Sequence, residues 1–421
     1  MKRIGAAICC VVLAVLLVSS PVAAAEGLKQ GDYVAVVGDS ITEQKLYSVY
    51  IEDYLLMCQP VADLRASQFG WSGDTASGFS NRMANDMLRF QPNVVTTCFG
   101  MNDGGYSPMN PDKAKNYRNA QTSIVEQCKK AGVRLIVVGS PGCVDADKFR
   151  NPEAAIMYNK TLAEERDIAR EVAQSQGVAF ANVIDPMIDV MTKAKAKYGK
   201  DYHVGGGDGV HPDANGQLVM AYAFLKALGC SGEIGKITVD LGSGKAEATA
   251  GHKVLNASGS TIELESTRYP FCFYGDPSKP SATRGVIEFL PFNDDLNRLT
   301  LVASGGKADR YKVTWGEAGK EFAAADLAKG INLAAEFLDN PFSGPFQKVE
   351  QKIREQQNYE TPLVKTFLHS LPASKAIVPE EADALVRVAT VAMAKDKTLR
   401  EASAAAVKPV QHKLSIEPVK N

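Results

Sequence analysis

The sequence has no excess of charge of either sign. Its 421 residues include 47 basic and 48 acidic side chains, which gives a net charge of −1. A chain that binds nucleic acid usually carries a basic field, and a disordered chain usually carries a large excess of one sign. Hydrophobic residues make up 45% of the chain, enough for a large core. We therefore expect a folded protein with no nucleic-acid partner.

Histidine is also scarce, and the cysteines do not form clusters. The chain has five histidines and eight cysteines, and neither a CxxC pair nor a Cys/His group has the spacing of a zinc site. We therefore expect no metal and no cofactor. Six of the cysteines lie beyond the N-terminal segment, and in an oxidising compartment some of them could pair. The sequence leaves their pairing open.

Only one long apolar run is present, at the N-terminus. Lys2 and Arg3 precede the run Ile8 to Val18, and the small residues Ala23 to Ala25 follow it. This order is typical of a secretory signal peptide covering residues 1–25. The alternative is a membrane anchor, but the run is too short to span a bilayer comfortably and no second apolar run follows it. We expect a secreted or periplasmic protein without a stable membrane anchor, and a mature net charge of −3 after loss of Lys2 and Arg3.

The pattern of apolar residues divides the rest of the chain into three parts. Residues 26–230 alternate short apolar runs with amphipathic stretches, which predicts an α/β domain with a parallel sheet and helices on both faces. Residues 231–320 contain short strand candidates between turn residues, which predicts a small β-rich module. Residues 321–421 favour helices, including one over Glu321 to Leu338, and end in a tail after Lys395 that we expect to fray.

Three loops that follow predicted strands carry candidate acyl-transfer groups. Ser40 lies in Gly38-Asp39-Ser40, after the first strand, where it could be a nucleophile or simply cap a helix. Gly73, after the second strand, could donate its N–H to an oxyanion or merely form a turn. Asn102, in a Gly-flanked segment after the third strand, could donate its amide to the same oxyanion or form an Asx turn.

A fourth loop supplies a candidate base. Asp208 and His211 lie three residues apart on a glycine-rich loop that precedes the last helix of the α/β part. The carboxylate could fix the tautomer of the imidazole and stabilise the imidazolium. A lone histidine is more often structural, but the ordered set of four loops contains every group that acyl transfer needs.

These four blocks resemble the SGNH hydrolase superfamily, also called GDSL-like esterases. The resemblance covers about residues 31–229, and Ile41 stands where the original motif has leucine. It implies a flavodoxin-like three-layer fold, no metal, and a catalytic triad of Ser40, Asp208 and His211. It also implies an oxyanion hole formed by Ser40, Gly73 and Asn102.

The sequence leaves the substrate open. The first hypothesis is a serine esterase acting on small acyl groups, such as acetyl on carbohydrate, with lysophospholipase or thioesterase as the alternative within the same chemistry. The second is a non-catalytic envelope or carbohydrate-binding protein that keeps the fold. An aromatic cluster could bind sugar rings or pack in a core; it comprises Tyr269, Phe271, Phe273 and Tyr274. The oligomeric state cannot be read from the sequence.

Overall fold

The computed structural model describes residues 27–420, so the predicted signal peptide lies outside the described residues. The first part alternates strands and helices. Its strands are β1 Tyr33–Gly38, β2 Arg65–Gly70, β3 Val94–Cys98, β4 Leu135–Gly139 and β5 Ala179–Ala181. Its helices are α1 Ser40–Glu43, α2 Tyr47–Met57, α3 Ala76–Asp86, α4 Pro111–Lys130, α5 Pro152–Gln176, α6 Ile184–Tyr198 and α7 Ala214–Ala227.

The five strands form one parallel sheet in the order β2-β1-β3-β4-β5. Two separate hydrophobic clusters of buried residues pack against it. The α/β fold with a parallel sheet predicted from the alternating pattern is confirmed. In such a sheet the carboxyl ends of the strands lie on one edge, and this edge is the usual place for a ligand.

The second part is built on two further sheets. Their strands are β6 Glu233–Asp240, β7 Lys245–Ala248, β8 His252–Ser258, β9 Thr261–Ser266, β10 Arg298–Ser304, β11 Arg310–Trp315, β12 Ala318–Ala323, β13 Ile331–Asn332 and β14 Val410–Pro418. One sheet has the order β13-β10-β6-β7 and the other the order β12-β11-β14-β9-β8. Short helices lie between these strands: α8 Phe292–Leu296, α9 Ala324–Lys329 and α10 Leu333–Glu336.

Three expectations for this part are wrong. The tail does not fray, because β14 lies between β11 and β9 and buries Val410, Leu414 and Ile416. The predicted helix over Glu321 to Leu338 is instead strand β12, two short helices and strand β13, since Gly330 takes a φ of +107° and interrupts any helix. Residues 285–290, one of the strand candidates that the sequence offers within residues 231–320, form turns.

The aromatic cluster belongs to the core. Tyr269, Phe271 and Phe273 are at most 3% exposed, and Phe271 packs against Phe292 and other rings. The interpretation as core packing is therefore confirmed, and these three rings do not form a sugar-binding surface. All six cysteines of the described chain are buried and free, so none is paired.

The C-terminal helices pack on the α/β part. They are α11 Ser343–Pro362, a π-helical segment Leu363–Leu368, α12 His369–Ile377 and α13 Ala382–Ala406. Ser48 of α2 donates to Gln357 at 2.7 Å, and the N–H of Gln68 in β2 donates to Glu360 at 2.8 Å. Buried polar groups need such partners, so these hydrogen bonds fix α11 against α2 and β2. Among residues 27–420, no helix has both the length and the apolar character needed to cross a membrane.

Candidate active site

Strand β1 ends in a tight turn that places Ser40 at the carboxyl edge of the sheet. A Cβ atom on Gly38 would lie 2.1 Å from Thr42 Oγ1 and 2.7 Å from the Cys98 carbonyl oxygen, so only glycine fits there. Asp39 then caps α1 by accepting a hydrogen bond from the Ile41 N–H at 2.9 Å. Burial raises the pKa of Asp39 to about 7. Ser40 is the first residue of α1, so its N–H is one of those that the helix leaves without an intrahelical acceptor.

The structure joins Ser40, His211 and Asp208 in one hydrogen-bonded chain. Ser40 Oγ lies 2.8 Å from His211 Nε2, and His211 Nδ1 lies 2.7 Å from Asp208 Oδ2. The other carboxylate oxygen, Oδ1, accepts the backbone N–H groups of Val210 and His211, each at 2.9 Å. With Nδ1–H donating to the carboxylate, Nε2 is left to accept the serine proton.

The loop that carries Asp208 is shaped by glycine. Gly206 has a φ of +101°, and a Cβ there would lie 1.9 Å from the His211 carbonyl oxygen, so the loop closes tightly on the histidine. Partial burial acts to raise the pKa of Asp208, but hydrogen bonds from His211 and Val210 outweigh it and hold this pKa below its ordinary value. Asp208 is therefore a carboxylate at neutral pH and suits the stabilisation of an imidazolium.

Gly73 lies at the third position of a β-turn that follows β2. The Asp74 N–H donates to the Trp71 carbonyl at 3.0 Å, and Gly73 takes a φ of +77°. A positive φ at this position is typical of a type II turn and favours glycine. Residues 72 and 73 are exposed, and no acceptor for the Gly73 N–H is found among the described residues.

Asn102 lies in the loop after β3 and faces the Gly73 turn. One N–H of its side-chain amide donates to the Asp74 carbonyl at 2.9 Å. An amide nitrogen carries two hydrogens, so the second remains for a ligand. Asp103 fixes both loops, because it accepts the N–H groups of Ala76 at 3.0 Å and Gly100 at 3.1 Å. Burial raises the pKa of Asp103 to about 6.

The C-terminal segment reaches this edge of the sheet. Lys365 donates to both carboxylate oxygens of Glu43, at 2.9 and 3.0 Å, and Glu43 also accepts the N–H of Ser72 beside Gly73. The ring of His369 lies 4.7 Å from the ring of Trp71. The turn that carries Gly73 is therefore held by Glu43 of α1 on one side and, through Trp71, by Lys365 and His369 of the C-terminal segment on the other.

The five site residues predicted from the sequence all lie at this carboxyl edge: Ser40 begins α1, and the other four, Gly73, Asn102, Asp208 and His211, lie on loops. Direct hydrogen bonds join Ser40 to His211 and His211 to Asp208, and Asn102 contacts the Gly73 turn through the Asp74 carbonyl. The sequence analysis did not find the network around Glu43. An acidic residue three positions after the candidate serine was the only local signal, and its partner Lys365 lies more than 300 residues away in the chain.

The described residues contain no group of three or more His, Cys, Asp or Glu side chains placed to hold a metal ion. This edge of the sheet holds a hydroxyl in contact with a base, close to the loops of Gly73 and Asn102, which can donate N–H groups.

Comparison with solved structures shows that a similar fold occurs in another protein. A gut microbial diltiazem-metabolizing enzyme, BT4096, superposes with a TM-score of 0.71 over 94% of this chain and 100% of its own, at 22% identity. Axe2, an acetylxylan esterase from Geobacillus stearothermophilus, matches 48% of this chain and 97% of its own, with 21% identity and a TM-score of 0.41. A search of curated proteins finds no significant match.

The family assignment rests on the α/β part. Residues 36–219 match the model of the GDSL-like Lipase/Acylhydrolase family. This segment contains the five strands of the parallel sheet and the loops that carry Ser40, Gly73, Asn102, Asp208 and His211. The α/β part of this chain therefore matches the GDSL-like Lipase/Acylhydrolase family, as its four sequence blocks predicted.

Proposed function

We propose that this protein is a serine esterase that works through an acyl-enzyme, with Ser40 as nucleophile. The observation that carries the proposal is the unbroken chain from Ser40 Oγ to His211 Nε2 at 2.8 Å and from His211 Nδ1 to Asp208 at 2.7 Å. A serine hydroxyl is a weak nucleophile by itself and needs a base within hydrogen-bond reach. His211 is that base, and Asp208 orients it.

The proposed reaction has two halves. His211 takes the hydroxyl proton of Ser40 while Oγ attacks the ester carbonyl, and it then protonates the leaving alcohol. Water, activated by the same imidazole, hydrolyses the acyl-enzyme and restores the serine. The developing oxyanion is held by the N–H groups of Ser40 and Gly73 and by the amide of Asn102. One such donor stabilises a transition state by about 3 kcal/mol.

The groups around Ser40 favour a short acyl chain and a polar alcohol. The loops after β2 and β3 and the loop of His211 carry polar residues, including Ser72, Asp74, Asn102 and Asp208, and these residues offer little apolar surface for a long acyl chain. Small acyl groups such as acetyl on carbohydrate are therefore the proposed substrates, ahead of lysophospholipids and thioesters. We further propose that the protein acts outside the cytoplasm, as the N-terminal sequence predicts.

A substrate panel tests the proposal. Purified protein and its Ser40→Ala variant are assayed with acetylated sugars, p-nitrophenyl esters of rising chain length, a lysophospholipid and a thioester. We expect turnover of acetyl esters, a fall in kcat/KM as the acyl chain lengthens, and no turnover by Ser40→Ala. Full activity in the folded Ser40→Ala variant would refute the assignment of Ser40 as the nucleophile. Binding of sugars without turnover of any ester would favour a non-catalytic protein.

A further inference from the structure

An aromatic stack links the loop of Asn102 to the loop of Asp208. The ring centroid of Tyr106 lies 4.9 Å from that of Tyr158 and 6.0 Å from that of Phe149. Tyr158 donates its hydroxyl proton to the carbonyl of Met101, the residue before Asn102. Phe149 packs so closely on the other loop that a Cβ on Gly209 would lie 2.4 Å from its nitrogen. The stack therefore contacts the loop of Asn102 on one side of the candidate active site and the loop of Asp208 on the other.

Two facts place the exposed end of this stack near the triad. The Asp145 N–H donates to the Gly209 carbonyl at 3.0 Å, which fixes residues 145–150 beside the loop that carries His211. Burial raises the pKa of Tyr106, and the carboxylates of Asp39 and Asp208 add to this rise. Tyr106 is thus within electrostatic reach of carboxylates on both sides of Ser40.

Arg150 lies over this stack with its polar edge free. Its guanidinium carbon is 5.0 Å from the Tyr106 centroid and 5.2 Å from the Phe149 centroid, within the range of cation–π contacts. The other charged groups of the segment are paired: Asp145 and Asp147 with Lys195, and Lys148 with Asp201. Among the described residues, Arg150 alone in this segment has no carboxylate within ion-pair distance, although it is exposed.

Both members of the cation–π pair have left-handed backbone conformations. Tyr106 has a φ of +53° and Arg150 a φ of +25°, and only three other non-glycine residues in the described chain have a positive φ. Such conformations are unfavourable for side chains with a Cβ and concentrate at functional sites. Here they turn the two side chains toward each other beside the active site.

We infer that Arg150, held on Tyr106 and Phe149, is a subsite for a carboxylate carried by the ester substrate. Stacking on the rings fixes the plane of the guanidinium and leaves its N–H edge to bind a carboxylate with two parallel hydrogen bonds. The inference rests on the proposed esterase function and narrows its substrate class to esters with an anionic group near the scissile bond. The carboxylate belongs either to the alcohol, as in an acetylated uronic acid, or to the acyl group.

The test uses two pairs of substrates, each consisting of an anionic ester and a neutral ester of similar size. On the acyl side, p-nitrophenyl hemisuccinate is compared with p-nitrophenyl butyrate. On the alcohol side, an acetylated methyl glucuronoside with a free carboxylate is compared with its methyl ester. The measured quantity is the ratio of kcat/KM for the charged substrate to kcat/KM for its neutral partner, in the wild type and in Arg150→Met, Arg150→Lys and Arg170→Met. Arg170 is the matched control, because it also stacks on a ring, that of Phe180 at 5.4 Å, but lies on α5.

We expect the wild type to prefer the charged member of at least one pair, and the pair identifies where the carboxylate lies. Arg150→Met lowers that ratio roughly 10- to 100-fold, the range for a hydrogen bond to a charged group. Arg150→Lys retains part of the preference, and Arg170→Met retains all of it. Equal turnover of both members of both pairs, or a preference that survives Arg150→Met, overturns the subsite and leaves the esterase proposal standing. If the wild type hydrolyses none of the four esters, both the subsite and the esterase proposal are overturned.

Discussion

The carboxylate of Glu43 holds the turn that carries Gly73, and its removal should slow catalysis without weakening substrate binding. Glu43 accepts the N–H of Ser72, the residue before Gly73, and two hydrogen bonds from Lys365 at 2.9 and 3.0 Å. Glu43→Ala removes the acceptor and the ion pair together. The turn is then free to move, and the Gly73 N–H no longer meets the oxyanion in every turnover.

The size of the effect follows from these contacts. A hydrogen bond to a charged group contributes about 1.5–3 kcal/mol, and a lost oxyanion donor costs about 3 kcal/mol. We therefore expect Glu43→Ala to lower kcat roughly 10- to 100-fold. Glu43→Gln keeps an oxygen for the Ser72 N–H and loses only the ion pair, whose side chains are 19% and 29% exposed. A pair this close to solvent contributes up to about 1 kcal/mol, so kcat falls at most about 5-fold.

The assay is steady-state hydrolysis of p-nitrophenyl acetate, with kcat and KM measured separately and folding checked by circular dichroism. KM should change little, because the turn acts in the transition state. Glu171→Ala is the control, since it removes an exposed pair with Arg118 on the surface. A folded Glu43→Ala enzyme with a kcat within twofold of the wild type would refute the reasoning.

Three other variants test the site and the fold. Asp208→Asn should lower kcat by more than about 10-fold, because the amide can no longer orient and stabilise the ring of His211; unchanged kcat would place the orienting group elsewhere. Burial raises the pKa of Asp39 from 3.8 to about 7, so its contribution to stability is complete below pH 3.8 and is lost as the pH rises through 7. The difference between the melting temperature of Asp39→Asn and that of the wild type should therefore increase by at least about 2 °C between pH 4 and pH 8. A difference that stays constant would contradict the raised pKa of the buried carboxyl. Leu414→Ala should lower the free energy of unfolding by about 2–5 kcal/mol, while the exposed neighbour Lys413→Ala should have almost no effect, and equal effects of the two would mean that β14 is not in the sheet.

The α/β part and its site could be predicted because their signals are local. Asp208 and His211 share one short glycine-rich loop before α7. Strands β1 and β4 are short runs of buried apolar residues, and Ser40, Gly73 and Asn102 lie just after the ends of β1, β2 and β3. Parallel topology then brings these ends to one edge whatever the details of the helices. Helix α6 also has a local signal, because the apolar residues of 184–198 recur at helical spacing.

The fold of the rest of the chain depends on contacts between residues that are far apart in the sequence. The stripe from Phe322 to Leu338 has apolar residues near helical spacing, but Phe322 pairs with Tyr311 in a hairpin, and Gly330 breaks the run. Strand β14 pairs with β9, about 150 residues earlier in the chain, a partner that no local pattern identifies. A local signal for the strand did exist, because Val410, His412, Leu414 and Ile416 alternate with polar residues.

The same limit applies to the groups that surround the site. Lys365 reaches Glu43 only because α11 packs on α2 and β2, and Arg150 reaches Tyr106 only because two loops of the α/β part meet. Neither contact follows from spacing along the sequence. The candidate triad could be predicted from local motifs, whereas Glu43 with Lys365 and Arg150 with Tyr106 are brought together only by the fold.

The central claim is that Ser40 is the nucleophile and forms an acyl-enzyme. The direct measurement is intact-protein and peptide mass spectrometry after reaction with a fluorophosphonate, which captures an activated serine. We predict one label per chain, on the peptide that contains Ser40, with none in Ser40→Ala and much slower labelling in His211→Ala. A label on another residue, or an active enzyme that remains unlabelled, would contradict the account.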